Sequence, residues 1–158
     1  MKNTRLSLIL LSAVVSIGLV FSSINCMGMG AMYGNVGVNI SDQPIWGPTG
    51  YDHADFYYIP DIDSYYSISE RQYIYRDGSN WIHASSLPAR YSSYDPYHSY
   101  KVVMNTDKPY QNNESHQAQY KAHIGKKDQP VIRDSHDPKY FVNKNHPEHE
   151  KWVKDQNH

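Results

Sequence analysis

Two groups of side chains have the residue types and spacing for chemistry. Histidines crowd the last third of the chain, where His116, His123, His136, His146, His149 and His158 make up six of the nine present. His146 and His149 are three apart and would share one face of a helix. His136 or Asp134 would then close a site for Zn²⁺ or Cu²⁺. Against that, the intervals are irregular and no cysteine joins them. A polar, histidine-bearing tail that binds nothing is the simpler account, so metal binding stands as the alternative. The second group is aromatic. Tyr91, Tyr94, Tyr97 and Tyr100 recur every three residues among Ser, Asp and His. Rings with hydroxyl rims suit stacking on sugars, on peptides or on another copy of the chain. The competing account is that they cover a thin core.

Weaker constellations surround these. The run Cys26-Met27-Gly28-Met29-Gly30-Ala31-Met32 offers soft sulfur ligands of the kind that hold Cu(I), although small residues there also fit a cleavage region. Ser135 and His136 lie between Asp134 and Asp137. Triads, however, are assembled in space on a rigid scaffold, and adjacency in sequence predicts nothing. Asp61 and Asp63, with Asp55, would attract a cation, or simply form a turn ahead of a strand. Gly-x-Ser-x-Gly, phosphate-loop and His-Glu-x-x-His motifs are missing. The expectation is a protein that is not an enzyme and carries no cofactor. Nucleic acid is not expected as a partner: Arg71, Arg76, Arg90 and Lys101 face seven acidic residues between Asp52 and Asp95, and no basic groove results.

The elements that must position these side chains read as short strands. From Phe56 to His83 there are six tyrosines and no leucine, valine or alanine. Asp63 to Ile68 is rich in Tyr and Ile. Gln72 to Arg76 puts Tyr73 and Tyr75 on one face and Ile74 on the other, and Asn80 to Ala84 sets Trp81 and His83 opposite Ile82. Asp77-Gly78 between them is a turn signal. Tyr100 to Met104 is a further strand candidate, and Leu87-Pro88 ends the run before it. The fold class expected is mainly β: a small antiparallel meander of three to four strands. Tyr73, Tyr75 and Trp81 would form its aromatic core, with tyrosine hydroxyls at the rim. Residues 27–50, rich in Gly, form a flexible leader. Residues 51–110 are the tyrosine-rich β module. Residues 111–158 are a polar, His-bearing tail, mostly disordered, because isolated apolar residues cannot offset the entropy of ordering. One local exception is Asn145 to Gln156, where Pro147 and Glu148 fit the first turn of a short helix.

The N-terminus gives the address. Lys2 and Arg5 precede the uncharged apolar run Leu6 to Phe21, and small or polar residues follow. This is the layout of a secretory signal peptide over residues 1–26, and about 130 residues would remain after cleavage. The run is short of the ~20 apolar residues that span a bilayer, and no later segment is apolar enough, so no transmembrane span is expected in the mature chain. Cys26, the only cysteine, has no partner for an internal disulfide and is the candidate lipidation site of an envelope lipoprotein. The chain is expected to be exported, to the periplasm or cell envelope, with an envelope component or itself as partner.

The tyrosine clusters add a resemblance. Tyr57-Tyr58-Ile59-Pro60-Asp61, Tyr65-Tyr66, Tyr73-Ile74-Tyr75, Gly78 to Trp81, Leu87-Pro88 and Thr106-Asp107-Lys108-Pro109-Tyr110 follow one another in order. Together they resemble a group of small, exported, uncharacterised bacterial proteins. The resemblance implies an envelope address and a small β module, and it implies no chemistry. The function expected is that of a non-catalytic cell-envelope protein with a binding or structural role.

Overall fold

The computed structural model describes residues 37–157. The segment read as a signal peptide, Cys26, the methionine run and His158 lie outside the described residues. Five strands form one antiparallel sheet: β1 (Phe56–Ile59), β2 (Ser64–Ser67), β3 (Gln72–Asp77), β4 (Asn80–Ala84) and β5 (Val102–Met104). Their order across the sheet is β4-β3-β2-β1-β5. The fold is mainly β as expected, with five strands in place of three to four. The added strand is β1, which lies between β2 and β5 and pairs Tyr57 with both Tyr66 and Val103. Tyr57, Tyr58 and Ile59 are all buried. A strand covered on both faces shows no polar alternation, which is why its sequence does not announce it.

Both faces of the sheet are aromatic. On one face Tyr58, Tyr65, Ile74 and Met104 form a cluster with Trp81, Tyr110 and Tyr120 packed against it. Tyr110 and Tyr120 flank or belong to α1 (Asn113–Tyr120), which therefore helps to cover this face. On the other face Ala54, Tyr57 and Ile68 pack with Trp46, Tyr66 and Val103. The Trp46 ring meets Tyr66 edge-on at 4.9 Å and lies nearly parallel to Tyr73 at 6.3 Å. One expectation is corrected here: Tyr73, Tyr75 and Trp81 do not share a core. In the β3–β4 register Tyr75 pairs with Ile82 and Arg76 with Trp81, so period-2 alternation sends Trp81 to the face of Ile74 and leaves Tyr73 and Tyr75 on the opposite one.

The tyrosine hydroxyls also differ from expectation, because they are satisfied inside the fold. Tyr57 donates to Gln43 Oε1 at 2.8 Å and Tyr58 donates to Asp63 Oδ1 at 3.0 Å. Tyr65 bonds His116 Nδ1 at 2.8 Å, and the Tyr140 hydroxyl accepts from the Gly50 amide at 2.6 Å. Burial raises the pKa of Tyr57, Tyr58 and Tyr65 well above the usual phenol range. Gly47 is forced by the same packing: a Cβ there would meet Tyr57 Cζ at 2.9 Å.

The leader and tail readings are corrected within the described residues. Residues 37–50 and 111–157 are part of the fold. Ile40, Ile132 and Tyr140 form a third cluster, with Ile45 against it. Pro48 bridges to Val131, and Asn143, fully buried, donates to the carbonyls of Ile40 (3.1 Å) and Gln43 (2.6 Å). The polar segment orders because its few apolar residues meet the N-terminal segment and its amides close carbonyls there. Sequence statistics see neither event. The second helix, α2 (His149–Gln156), begins later than Pro147 suggested, with Glu148 at its N-cap. Among the described residues no helix is long and apolar enough to cross a membrane.

Candidate functional site

The chain between β4 and β5 makes two 3₁₀ turns, Ala89–Tyr91 and Pro96–His98. Asp95 builds the second. Its carboxylate accepts from the Tyr97 amide at 2.9 Å and holds His98 Nδ1 at 2.7 Å, while Pro96 sits in the first turn, where no N–H is needed. The hydrogen bond from His98, then that from the Tyr97 amide, keep the Asp95 carboxyl below the usual range. His98 Nε2 has no hydrogen-bond partner among the described residues.

Buried groups hold this loop from behind. Tyr94 points inward, its hydroxyl accepting from Ser99 Oγ at 3.1 Å, and burial pushes its pKa up. Lys101 is 1% exposed, and its Nζ donates to the Pro96 carbonyl at 2.6 Å. Desolvation lowers that ammonium to about 8, against the opposing pull of Asp95 and Asp61. The backbone of Lys101 is clamped by one side chain: it donates to Gln129 Oε1 at 2.8 Å and accepts from Gln129 Nε2 at 2.9 Å.

In front of the loop lies a cleft of about 490 Å³ lined by Asp61, Arg90, Tyr91, Tyr94, Asp95 and His98 among others. A second hollow of about 310 Å³, with Tyr97, Asp134 and Ser135 in its wall, shares His98 and Lys127 with the first. Of the four tyrosines expected to stack on a ligand, Tyr91 and Tyr94 thus line one hollow and Tyr97 the other. Tyr100 lines neither, and its ring is stacked on His123 at 4.0 Å. The exposed faces are also partly taken. The Arg90 guanidinium lies over Tyr91 at 4.8 Å. Arg133, doubly bonded to Asp134, lies over Tyr97 at 4.1 Å. The cleft therefore offers ring edges, carboxylates, guanidinium and one imidazole nitrogen more than bare stacking faces. The Asp95–His98 pair, Arg90, Lys127 and the buried Lys101 were not singled out from sequence as site residues. Asp95-Pro96-Tyr97-His98 does carry a turn signature that marks the first pair.

Of the three histidines expected to hold a metal, His146 and His149 are tied to backbone groups. His146 Nδ1 accepts from the Glu148 amide at 3.1 Å and its Nε2 faces the Ser135 carbonyl at 3.2 Å, so both ring nitrogens are engaged. His149 Nδ1 bonds the Phe141 carbonyl at 2.7 Å. His136 and His146 line one hollow of about 260 Å³ with Asp134 and Glu148. Among the described residues, however, no group of three or more His, Cys, Asp or Glu is arranged to hold a metal ion. The Asp134–Asp137 run forms a turn in which Ser135 Oγ accepts from the Asp137 amide at 3.2 Å. The three upstream aspartates are likewise engaged: Asp61 accepts from the Gly125 amide, Asp55 from His53, and Asp63 from Tyr58, Asn113 and Gln117. Comparison with protein-family models, with curated proteins and with solved structures gives no match.

Proposed function

We propose that this chain is an exported, non-catalytic binding protein of the bacterial cell envelope, and that its ligand is a hydroxyl-rich molecule of the sugar class held in the cleft at His98. The observation that carries the reading is the cleft itself. Carboxylates, a guanidinium, tyrosine edges and a free imidazole nitrogen converge on a floor fixed by Lys101, Tyr94 and Gln129. Alternating donors and acceptors beside aromatic edges suit a ring that bears hydroxyls, and mixed charge signs suit a neutral one. A non-catalytic role is favoured because, among the described residues, His98, although oriented by Asp95, has no hydroxyl or thiol hydrogen-bonded to its other nitrogen. Metal binding through the histidines is the weaker reading, since His146 spends both ring nitrogens on backbone groups.

The test is an amide-resolved NMR titration with soluble cell-wall saccharides. Shifts should concentrate at Tyr91, Asp95 and His98, and His98→Ala or Tyr91→Ala should weaken binding about tenfold. Saccharides that perturb no residue of the cleft would sink the proposal.

A further inference from the structure

The two edges of the sheet are finished differently. At the entrance to β5 the outward amide and carbonyl of Lys101 are both taken by the side-chain amide of Gln129, which stands where a neighbouring strand would be and leaves Val103 as the one outward residue of that short strand. At β4 no described residue does this. The hairpin register fixes which β4 groups are free. β3 and β4 join through Gly78-Ser79, so Asp77–Asn80 is the closing hydrogen-bonded pair and the ladder alternates from there. Tyr75–Ile82 and Tyr73–Ala84 bond to each other, while Trp81 and His83 turn their amides and carbonyls away from β3. The same phase runs through the sheet, since the Ile68 amide donates to Asp55 O at 2.9 Å just beyond the β1–β2 ladder. No other backbone group of the described residues reaches Trp81 or His83. Nor does Asn80–Ala84 carry a lysine, a proline or a carboxylate, the devices that usually blunt an exposed edge.

We propose that β4 is an interface between two copies of this chain, paired antiparallel about a two-fold axis at Ile82. This is the register within β4 that uses both outward residues of both copies. Trp81 falls opposite His83 of the second copy, and each such pair exchanges two hydrogen bonds. On one side of the joined sheet Ile82 meets its own copy across a non-hydrogen-bonded pair, where side chains approach most closely. On the other side the Trp81 indole lies beside the second copy's imidazole. A strand that complements itself in this way gives a closed, isologous contact, and the net charge of −1 sets up little repulsion between copies. The interface is independent of the cleft and of any ligand in it.

The experiment is sedimentation equilibrium on the purified chain, with hydrogen exchange read at single amides. A dimer is expected, with the Trp81 and His83 amides protected when concentrated and fast-exchanging on dilution. Ile82→Lys sets two ammonium groups against each other at the axis, and should raise the dissociation constant about tenfold or more. His83→Pro removes an outward donor that takes no part in the β3 ladder, and should give a monomer with unchanged far-ultraviolet circular dichroism. If either variant fails to fold, exchange in the unaltered chain still decides. A chain that is monomeric at every concentration, or a dimer whose Trp81 and His83 amides exchange fast, overturns the proposal. So does a dimer that survives both substitutions. A different polypeptide found paired to β4 would overturn the choice of occupant.

Discussion

Lys101 spends its charge inside the protein, with a backbone carbonyl as its one direct partner. Its pKa falls from 10.5 to about 8 on folding. Between those values the unfolded chain holds a proton that the folded chain has lost, so stability rises with pH across that window. The tyrosines act in the opposite sense. Burial raises Tyr57, Tyr58, Tyr65, Tyr73 and Tyr94 above 10.0, so above that pH the unfolded chain ionises first and stability falls. Urea melts should therefore show a gain of about 1 kcal/mol between pH 8 and pH 9 from this lysine, then a loss as the tyrosines of the unfolded chain ionise. Lys101→Met should abolish the rise and leave the fall. A rise that persists in the variant would assign it to another group. In sequence, Lys101 reads as an ordinary polar residue at the start of a strand. Its burial depends on Pro96 and on Gln129, 28 residues further on, and no local pattern encodes that meeting.

Elements whose faces differ were readable, and elements covered on both sides were not. β3 and β4 alternate and turn at Gly78, so their pairing follows from the sequence. β1 is uniformly aromatic and buried, and it lacks the polar half of that signal. α1 is harder still, because its sequence NESHQAQY has almost no apolar stripe. It covers the sheet with hydrogen bonds: Asn113 and Gln117 donate to Asp63, and His116 meets the Tyr65 hydroxyl. Composition reads such a helix as solvent-bound tail. The two readings part on truncation. If residues 51–110 were a module of their own, a chain ending at Tyr110 would keep its tertiary structure. The packing of Tyr120 and His116 over Tyr58 and Tyr65 predicts that this truncation loses its near-ultraviolet circular dichroism and its dispersed amide spectrum. Retention of both would show that α1 is dispensable.

At the scale of the whole molecule, charge and hydropathy bear on address and partners. No strong net charge directs the chain to nucleic acid or to anionic lipid, and among the described residues no helix is fit to cross a bilayer. The proposed export is tested at the N-terminus of the native protein. Mass spectrometry should find a start between Cys26 and Ala31, and added acyl mass on Cys26 would make it a lipoprotein. An intact Met1 in the cytoplasm would refute export. The candidate cleft was only half readable for a reason at this same scale. Its tyrosines come from one loop, whereas Asp61 and Lys127 arrive from segments distant in sequence and are brought there only by the complete fold.

Asn143 has a consequence in time. Its side chain closes the carbonyls of Ile40 and Gln43 across 103 and 100 residues. Contacts of that span carry a large loop-closure entropy and form after local hairpins have already set. The segment that bears Ile40 and Gln43 is made long before Asn143, so the Gln43 side chain can meet Tyr57 early, while the carbonyls of Ile40 and Gln43 stay open until residue 143 has followed. A chain built this way sets its sheet first and seals this seam last.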